Sequence, residues 1–169
     1  YDTLMSHVLS AVISDCTGVE TSNYAAQYLF EPLGITVKRW ETDPQGYSFG
    51  GSSVYLTSRD MLRIGYLCLK NGVWESNQIV PANLIAEMRS EHIVGSDDRG
   101  YGYLWWKEHP DHAQKPQNLD MYKAAGYEGQ FIMIFPTQNM VVVMTSWDMY
   151  SLSHSNLSLV YEGILPYLE

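Results

Sequence analysis

The sequence predicts an α+β fold: helices first, then an antiparallel sheet, then one covering helix. Up to Glu91, apolar residues recur at three- and four-residue steps between turn signals, as they do on amphipathic helices. Beyond Gly100 they instead form short runs rich in aromatic and β-branched side chains, which suits strands. Two of these runs, Gln130–Phe135 and Met140–Thr145, are separated by Pro136, Thr137, Gln138 and Asn139 and read as an antiparallel hairpin. Both are apolar almost throughout, so both faces of the sheet need cover.

Leu4, Val8, Leu9, Val12, Ile13 and Cys16 mark one apolar face of a first helix that stops at Gly18. Thr21 or Ser22 caps a second helix through Tyr24, Ala25, Tyr28 and Leu29, ended by Pro32 and Gly34. From Ile35 to Ser53, the residues Trp40, Asp43, Pro44, Gly46, Gly50 and Gly51 interrupt any period and predict a long ordered loop, a kind that often carries function. Thr57 or Ser58 caps a third helix with Met61, Leu62, Ile64, Leu67 and Leu69 on a wide apolar face, closed by Asn71 and Gly72. Pro81 takes the first-turn position of a fourth helix carrying Leu84, Ile85 and Met88.

Asp97, Asp98, Arg99 and Gly100 then make a turn, and Tyr101–Lys107 read as a third strand. Glu108–Asp120, with two prolines and mixed charges, is expected to be an exposed crossing. After the hairpin, Ser151 or Ser153 caps a helix whose Leu157, Val160, Tyr161, Ile164 and Leu165 face the sheet. The chain thus divides into a mainly helical part, residues 1–95, with a Gly-bearing loop, and residues 96–169, with three strands and a final helix.

At 169 residues and 46% hydrophobic, the chain can bury one ordinary core. A formal charge of −9 with no basic cluster argues against nucleic acid and anionic membranes as partners. No apolar run approaches the roughly 20 residues of a membrane span. Cys16 and Cys68 fall in separate helical patterns, which favours two buried, reduced thiols over a bridge.

The candidate chemistry is sparse. His109 and His112 have metal-ligand spacing only on a helix, which Pro110 disfavours, so a solvated loop is the simpler account and no metal is expected. His7, His92 and His154 are isolated and read as structural or surface residues. Asn156 opens a glycosylation sequon inside a predicted helix, a weak signal. Most of the five Trp and thirteen Tyr fall inside predicted elements, leaving Trp40 and Tyr127, beside glycine-bearing turns, as candidates to line a cleft. No Ser has a Lys three residues later, the helical spacing that sets an amine beside a hydroxyl, and no GxSxG elbow occurs.

Four stretches taken together, YDTLMSHVLSAVISDCTG, LFEPLGI, GGSSVYLTSRDMLRIGYLCLKNG with YGYLWW after it, and AAGYEGQFIMIFPTQNMVVVMTS, resemble the serine β-lactamase and penicillin-binding-protein-like superfamily. The likeness is to its class C-like branch of esterases, peptidases and amide hydrolases. In that family a Ser and Lys form the first motif, a Tyr followed two residues later by Asn, Ser or Thr the second, and a strand edge the third. The resemblance implies that Tyr1 and Thr3 are the second motif, so that the first is expected upstream and these residues form the C-terminal part of one catalytic domain. An apolar patch is then expected where the upstream part would pack.

By that resemblance Tyr1 is the catalytic phenol relaying protons, and the Tyr127 backbone amide is an oxyanion donor, with the nucleophile's own amide as the other. Thr3, Trp40, Gly126, Glu128 and Gly129 are the expected substrate-binding residues. Thr3 stands where Asn is commonest and lacks an amide's two-ended reach, which weakens a β-lactam preference. At the third motif the strand edge reads AAGYEG where the family often has a cation, and Lys123 is either that cation or a surface lysine at the strand end. The resemblance implies no cofactor, a small ester, amide or peptide substrate, the N-terminal part of the same domain as partner, and an exported or bacterial-envelope enzyme. The competing expectation is a noncatalytic relative that keeps the fold and binds a ligand or peptide.

Overall fold

The computed structural model describes residues 1–94, 100–107, 119–147 and 159–167. They fall into two compact units, Tyr1–Asp60 and Met61–Glu169.

In the first unit, α1 (Thr3–Thr17) opens on Asp2, whose side chain accepts from the Met5 amide at 2.9 Å, and closes on Gly18 at φ 68°. The predicted glycine stop is therefore real, since only a residue free of Cβ strain turns there cheaply. Next, α2 (Thr21–Ala25) runs into a π-helical turn, Ala26–Phe30. Its cap is neither Thr21 nor Ser22 but Glu20, whose carboxylate accepts from the Ser22 and Asn23 amides. Thr21 is instead buried, its hydroxyl donating to the Ser10 carbonyl at 2.7 Å and so tying α2 to α1. The expected loop follows, pinned at its base where β1 (Arg39–Trp40) pairs antiparallel with β2 (Val54–Tyr55).

Helix α1 buries the face opposite to its apolar one. Leu4, Met5, Val8, Leu9, Val12 and Ile13 are exposed, Leu4 by 69%, whereas Ser6 and Ser10 are buried. The small side chains of that second stripe let residues 48–51 lie directly on the helix. A Cβ at Gly51 would come within 2.7 Å of Thr3 Cγ2, and one at Gly50 within 2.9 Å of the Ser6 carbonyl carbon. Periodicity predicts the helix correctly, but the close approach selects small residues, not apolar ones, for the inward face.

Helix α3 (Ser58–Leu69) begins with a reciprocal cap: Asp60 Oδ2 accepts from the Thr57 amide at 3.0 Å, and Thr57 Oγ1 accepts from the Asp60 amide at 3.2 Å. Asn71 at φ 52° and Gly72 at φ 82° stop it as expected. A small hairpin, β3 (Val73–Trp74) with β4 (Asn77–Gln78), leads to α4 (Ala82–Arg89). Pro81 occupies the cap of α4 rather than its first turn.

The sheet has six strands where three were expected: β5 (Ile93–Val94), β6 (Gly100–Gly102), β7 (Trp105–Lys107), β8 (Tyr122–Ala125), β9 (Phe131–Phe135) and β10 (Met140–Met144). Their order is β10-β9-β8-β7-β6-β5, antiparallel throughout. The stretch Tyr101–Lys107, read from sequence as one strand, is a hairpin turning at Tyr103 (φ 43°) and Leu104 (φ 69°). Left-handed pairs of this kind are usually announced by Asn-Gly or Asp-Gly, and here nothing in the composition does so.

The β9–β10 hairpin is as expected, with Phe135 opposite Met140. One sheet face packs Met121, Phe131, Met133 and Phe135 against Val160, Tyr161 and Leu165 of the terminal segment. The other packs Tyr122, Ile132 and Ile134 against Cys68 of α3 and Ile85 of α4. Both faces are thus covered by helices. Met133, Ile134 and Phe135 are fully buried. The predicted turn at Asp97–Arg99, residues 108–118 of the crossing, the Ser151 and Ser153 caps, Leu157, His154 and Asn156 lie outside the described residues. Among the described residues, no helix is long and apolar enough to cross a membrane.

Candidate active site

Tyr1, Thr3 and Trp40 belong to the first unit. Tyr1 is 59% exposed, and its hydroxyl donates to the Gly51 carbonyl at 3.4 Å, a long bond that leaves the phenol available to another partner. Thr3 opens α1 and backs Gly51 with its methyl and carbonyl groups. The half-buried Trp40 donates its indole N–H to the Phe49 carbonyl at 2.8 Å and packs 6.2 Å from the Phe30 ring, so it braces the loop.

The loop is charged as well as close-packed. Asp43 accepts from the Gln45 amide at 2.9 Å and the Tyr47 amide at 3.0 Å. Burial acts to raise the Asp43 carboxyl, but hydrogen bonds from His7 and from the Tyr47, Gln45 and Gly46 amides outweigh it and hold it below the usual range. Glu20 follows the same pattern: burial raises it, while the Ser22 and Ser48 hydroxyls and the Asn23 and Ser22 amides bring it below the usual range. A hydrogen bond to Asp15 at 2.9 Å, with that carboxylate's charge, pushes the Tyr47 phenol up.

Gly126, Tyr127, Glu128 and Gly129 belong to the second unit, at the end of β8. Gly126 is extended, and its amide donates to the Gln130 carbonyl at 2.7 Å, closing the turn between β8 and β9. Tyr127–Gly129 form a single 3₁₀ turn, with buried Gly129 at φ 89° where a Cβ would be strained. The Tyr127 amide is the first of that turn, so the helix itself offers it no acceptor. Tyr127 as a whole is 86% exposed. Gln130 Nε2 donates to the Ser146 carbonyl at 2.6 Å, bracing the turn against the chain beyond β10. Such a backbone donor at a strand edge can stabilise a developing oxyanion.

Lys123 is no surface lysine. It pairs with Met133 and Trp106 within the sheet, is 2% exposed, and holds its ammonium 5.6 Å from the Phe131 ring centre. Ala124, one residue on, packs with the core of the opposite face. Both cysteines are free thiols; Cys16 is exposed, whereas burial pushes the Cys68 thiol up to about 12. Among the described residues no three His, Cys, Asp or Glu side chains gather to hold a metal, and His109 and His112 lie outside those residues. His7, Asp43, Gly50 and Gly51 are the residues that sequence reasoning did not assemble. Their signal was the juxtaposition of a DPQG turn with a Gly-Gly pair and a small-residue stripe on α1.

No family model matches the chain. An uncharacterized protein of Alkalihalophilus pseudofirmus is 25% identical over 123 residues, 64% of this chain and 36% of its own length. Among solved structures, a candidate 6-aminohexanoate-dimer hydrolase from Bacillus anthracis superposes with a TM-score of 0.76 at 22% identity, over 97% of this chain and 42% of its own. EstCE1, a hydrolase with promiscuous acyltransferase activity, gives 0.73 at 19% identity, over 93% and 54% of the two chains. The octameric penicillin-binding protein homologue from Pyrococcus abyssi gives 0.70 at 15% identity, over 94% and 40%. The chain thus spans roughly half or less of the length of these proteins. Nearly the whole of it superposes on the three solved structures, and it has the α+β fold of the β-lactamase and penicillin-binding-protein-like serine hydrolases.

Proposed function

We propose that residues 1–169 supply the proton-relay and oxyanion part of a serine hydrolase that cleaves an ester or amide through an acyl-enzyme. The Ser–Lys pair comes from polypeptide outside these residues, within which no Ser has a Lys three positions on. In this reading the serine hydroxyl attacks the carbonyl carbon, and its proton passes to the Tyr1 oxygen as the phenol hands its own proton to the amine of the Lys. The Tyr127 amide and the nucleophile's own amide hold the oxyanion, and Tyr1 returns the proton to the departing alkoxide or amine. Water then enters by the same relay, releasing acid and serine. Thr3, Trp40, Gly126, Glu128 and Gly129 are the proposed substrate-binding residues.

The observation that carries the reading is the turn ending β8, a backbone donor presented at a strand edge between two glycines in a fold shared with several hydrolases. Tyr1→Phe in the protein that also contains the Ser–Lys pair tests it. Acylation by a p-nitrophenyl ester should slow by roughly 100-fold or more with folding intact. Tyr127→Ala should do less, because it is the backbone that donates. A well-folded protein that binds ligand and never acylates would make it a noncatalytic relative instead.

A further inference from the structure

The strap that crosses α1 carries a lock built from side chains. His7 shares a helical face with Thr3, Ser6 and Ser10; its Nε2 lies 2.9 Å from Asp43 Oδ2, and its Nδ1 accepts from the Gly50 amide at 3.4 Å. The neutral tautomer with its proton on Nε2 satisfies both partners at once. The Phe49 ring lies tilted against His7, 5.2 Å between ring centres, and the His7 and Asp43 side chains are largely buried, at 20% and 12% exposure. Asp43 uses its other oxygen for the Gln45 and Tyr47 amides, so a single carboxylate both shapes the turn and fastens it to the helix. One residue beyond Gly50, the Gly51 carbonyl receives the Tyr1 hydroxyl, and the Gly51 backbone rests on Thr3.

We infer that His7 and Asp43 are positioning residues for Tyr1: their pair seats the Gly50–Gly51 strap on the first turn of α1 and so sets where the phenol hydroxyl stands. This rests on Tyr1 being the proton relay. Neither side chain meets the reacting atoms; what they supply is orientation, and a displacement of about 1 Å at a reacting group can cost on the order of 100-fold in rate. The glycines make the seat possible because a Cβ at either would meet the helix backbone.

The test uses the enzyme containing the Ser–Lys pair, with His7→Ala, His7→Gln and Tyr1→Phe compared on a p-nitrophenyl ester. His7→Ala should lower kcat roughly 10- to 100-fold with KM within about 2-fold. His7→Gln, whose amide can donate to Asp43 and accept from Gly50, should recover most of the loss. Hydrogen exchange read by mass spectrometry on a peptide spanning residues 41–53 should accelerate in His7→Ala and return towards normal in His7→Gln. Unchanged exchange in His7→Ala would show that the pair does not hold the strap. Unchanged kcat beside an impaired Tyr1→Phe would overturn the role of the pair alone, whereas an unimpaired Tyr1→Phe would overturn the relay itself and the pair's role with it. Should His7→Ala fail to fold, Asp43→Asn answers the same question by the same two readouts.

Discussion

Replacing Gly50 by Ala would place a methyl group where α1 already stands. The added Cβ would lie 2.9 Å from the Ser6 carbonyl carbon and 3.0 Å from Ser10 Cβ, and nearer still to the Ser6 oxygen. Carbon atoms pack best at about 3.5–4.0 Å, so strap and helix must separate by roughly 0.5–1 Å. Overpacking of this kind costs about 1–3 kcal/mol. The same movement stretches the His7–Asp43 pair and loosens the bond from the Ser48 hydroxyl to Glu20, the latter worth about 0.5–1.5 kcal/mol. A total of about 1.5–4.5 kcal/mol would lower a urea midpoint by roughly 1–2 M at a slope of about 2 kcal/mol per M. Gly163→Ala is the control: the new Cβ there meets nothing within 4 Å, and alanine in the terminal helix should be neutral or stabilising by up to about 1 kcal/mol. Circular dichroism during urea titration decides the matter. A Gly50→Ala midpoint equal to wild type would mean that the strap does not lie on the helix as described.

Three further outcomes follow from the described residues. Iodoacetamide at neutral pH should label Cys16 and spare Cys68 until denaturant is added, because only Cys16 is exposed and burial holds the Cys68 thiol at about 12; equal labelling of the native protein would contradict this. Ile134→Ala, in a fully buried strand position between Cys68 and Ile85, should cost about 2–5 kcal/mol in urea unfolding, and a loss under 1 kcal/mol would show a looser core. The folded-state pKa values of Asp43 and Glu20 are lowered, so the stability they contribute is present above their ordinary range near 4 and is lost as pH falls through the lowered values. Asp43→Asn and Glu20→Gln should therefore flatten the fall in urea midpoint below about pH 4, and an acid profile parallel to wild type would refute the assignment.

Much of the architecture was legible because its determinants are local. The Gly18 stop, the Thr57–Asp60 cap and the turn after Pro136 are each set by residues adjacent in sequence. The misreadings share another origin. The inward face of α1 is chosen by how closely Gly50 and Gly51 approach it, 40 to 48 residues along the chain, and no period along α1 encodes that. The hairpin at Tyr103–Leu104 takes left-handed backbone at residues whose side chains do not advertise it. At the candidate site, the turn at Gly126–Gly129 was visible in its glycines. The His7–Asp43 lock was not, since an isolated histidine on a helix and an Asp in a loop meet only in three dimensions.

Labelling with a fluorophosphonate, followed by mass spectrometry of the modified peptide, tests the central claim most directly. Residues 1–169 alone should take up no label at any serine, while a protein that adds the Ser–Lys pair should be labelled at that serine and more slowly when Tyr1 is Phe. A stable adduct on one serine of the 169-residue chain by itself would contradict the account, because it would locate the nucleophile where the proposal says there is none.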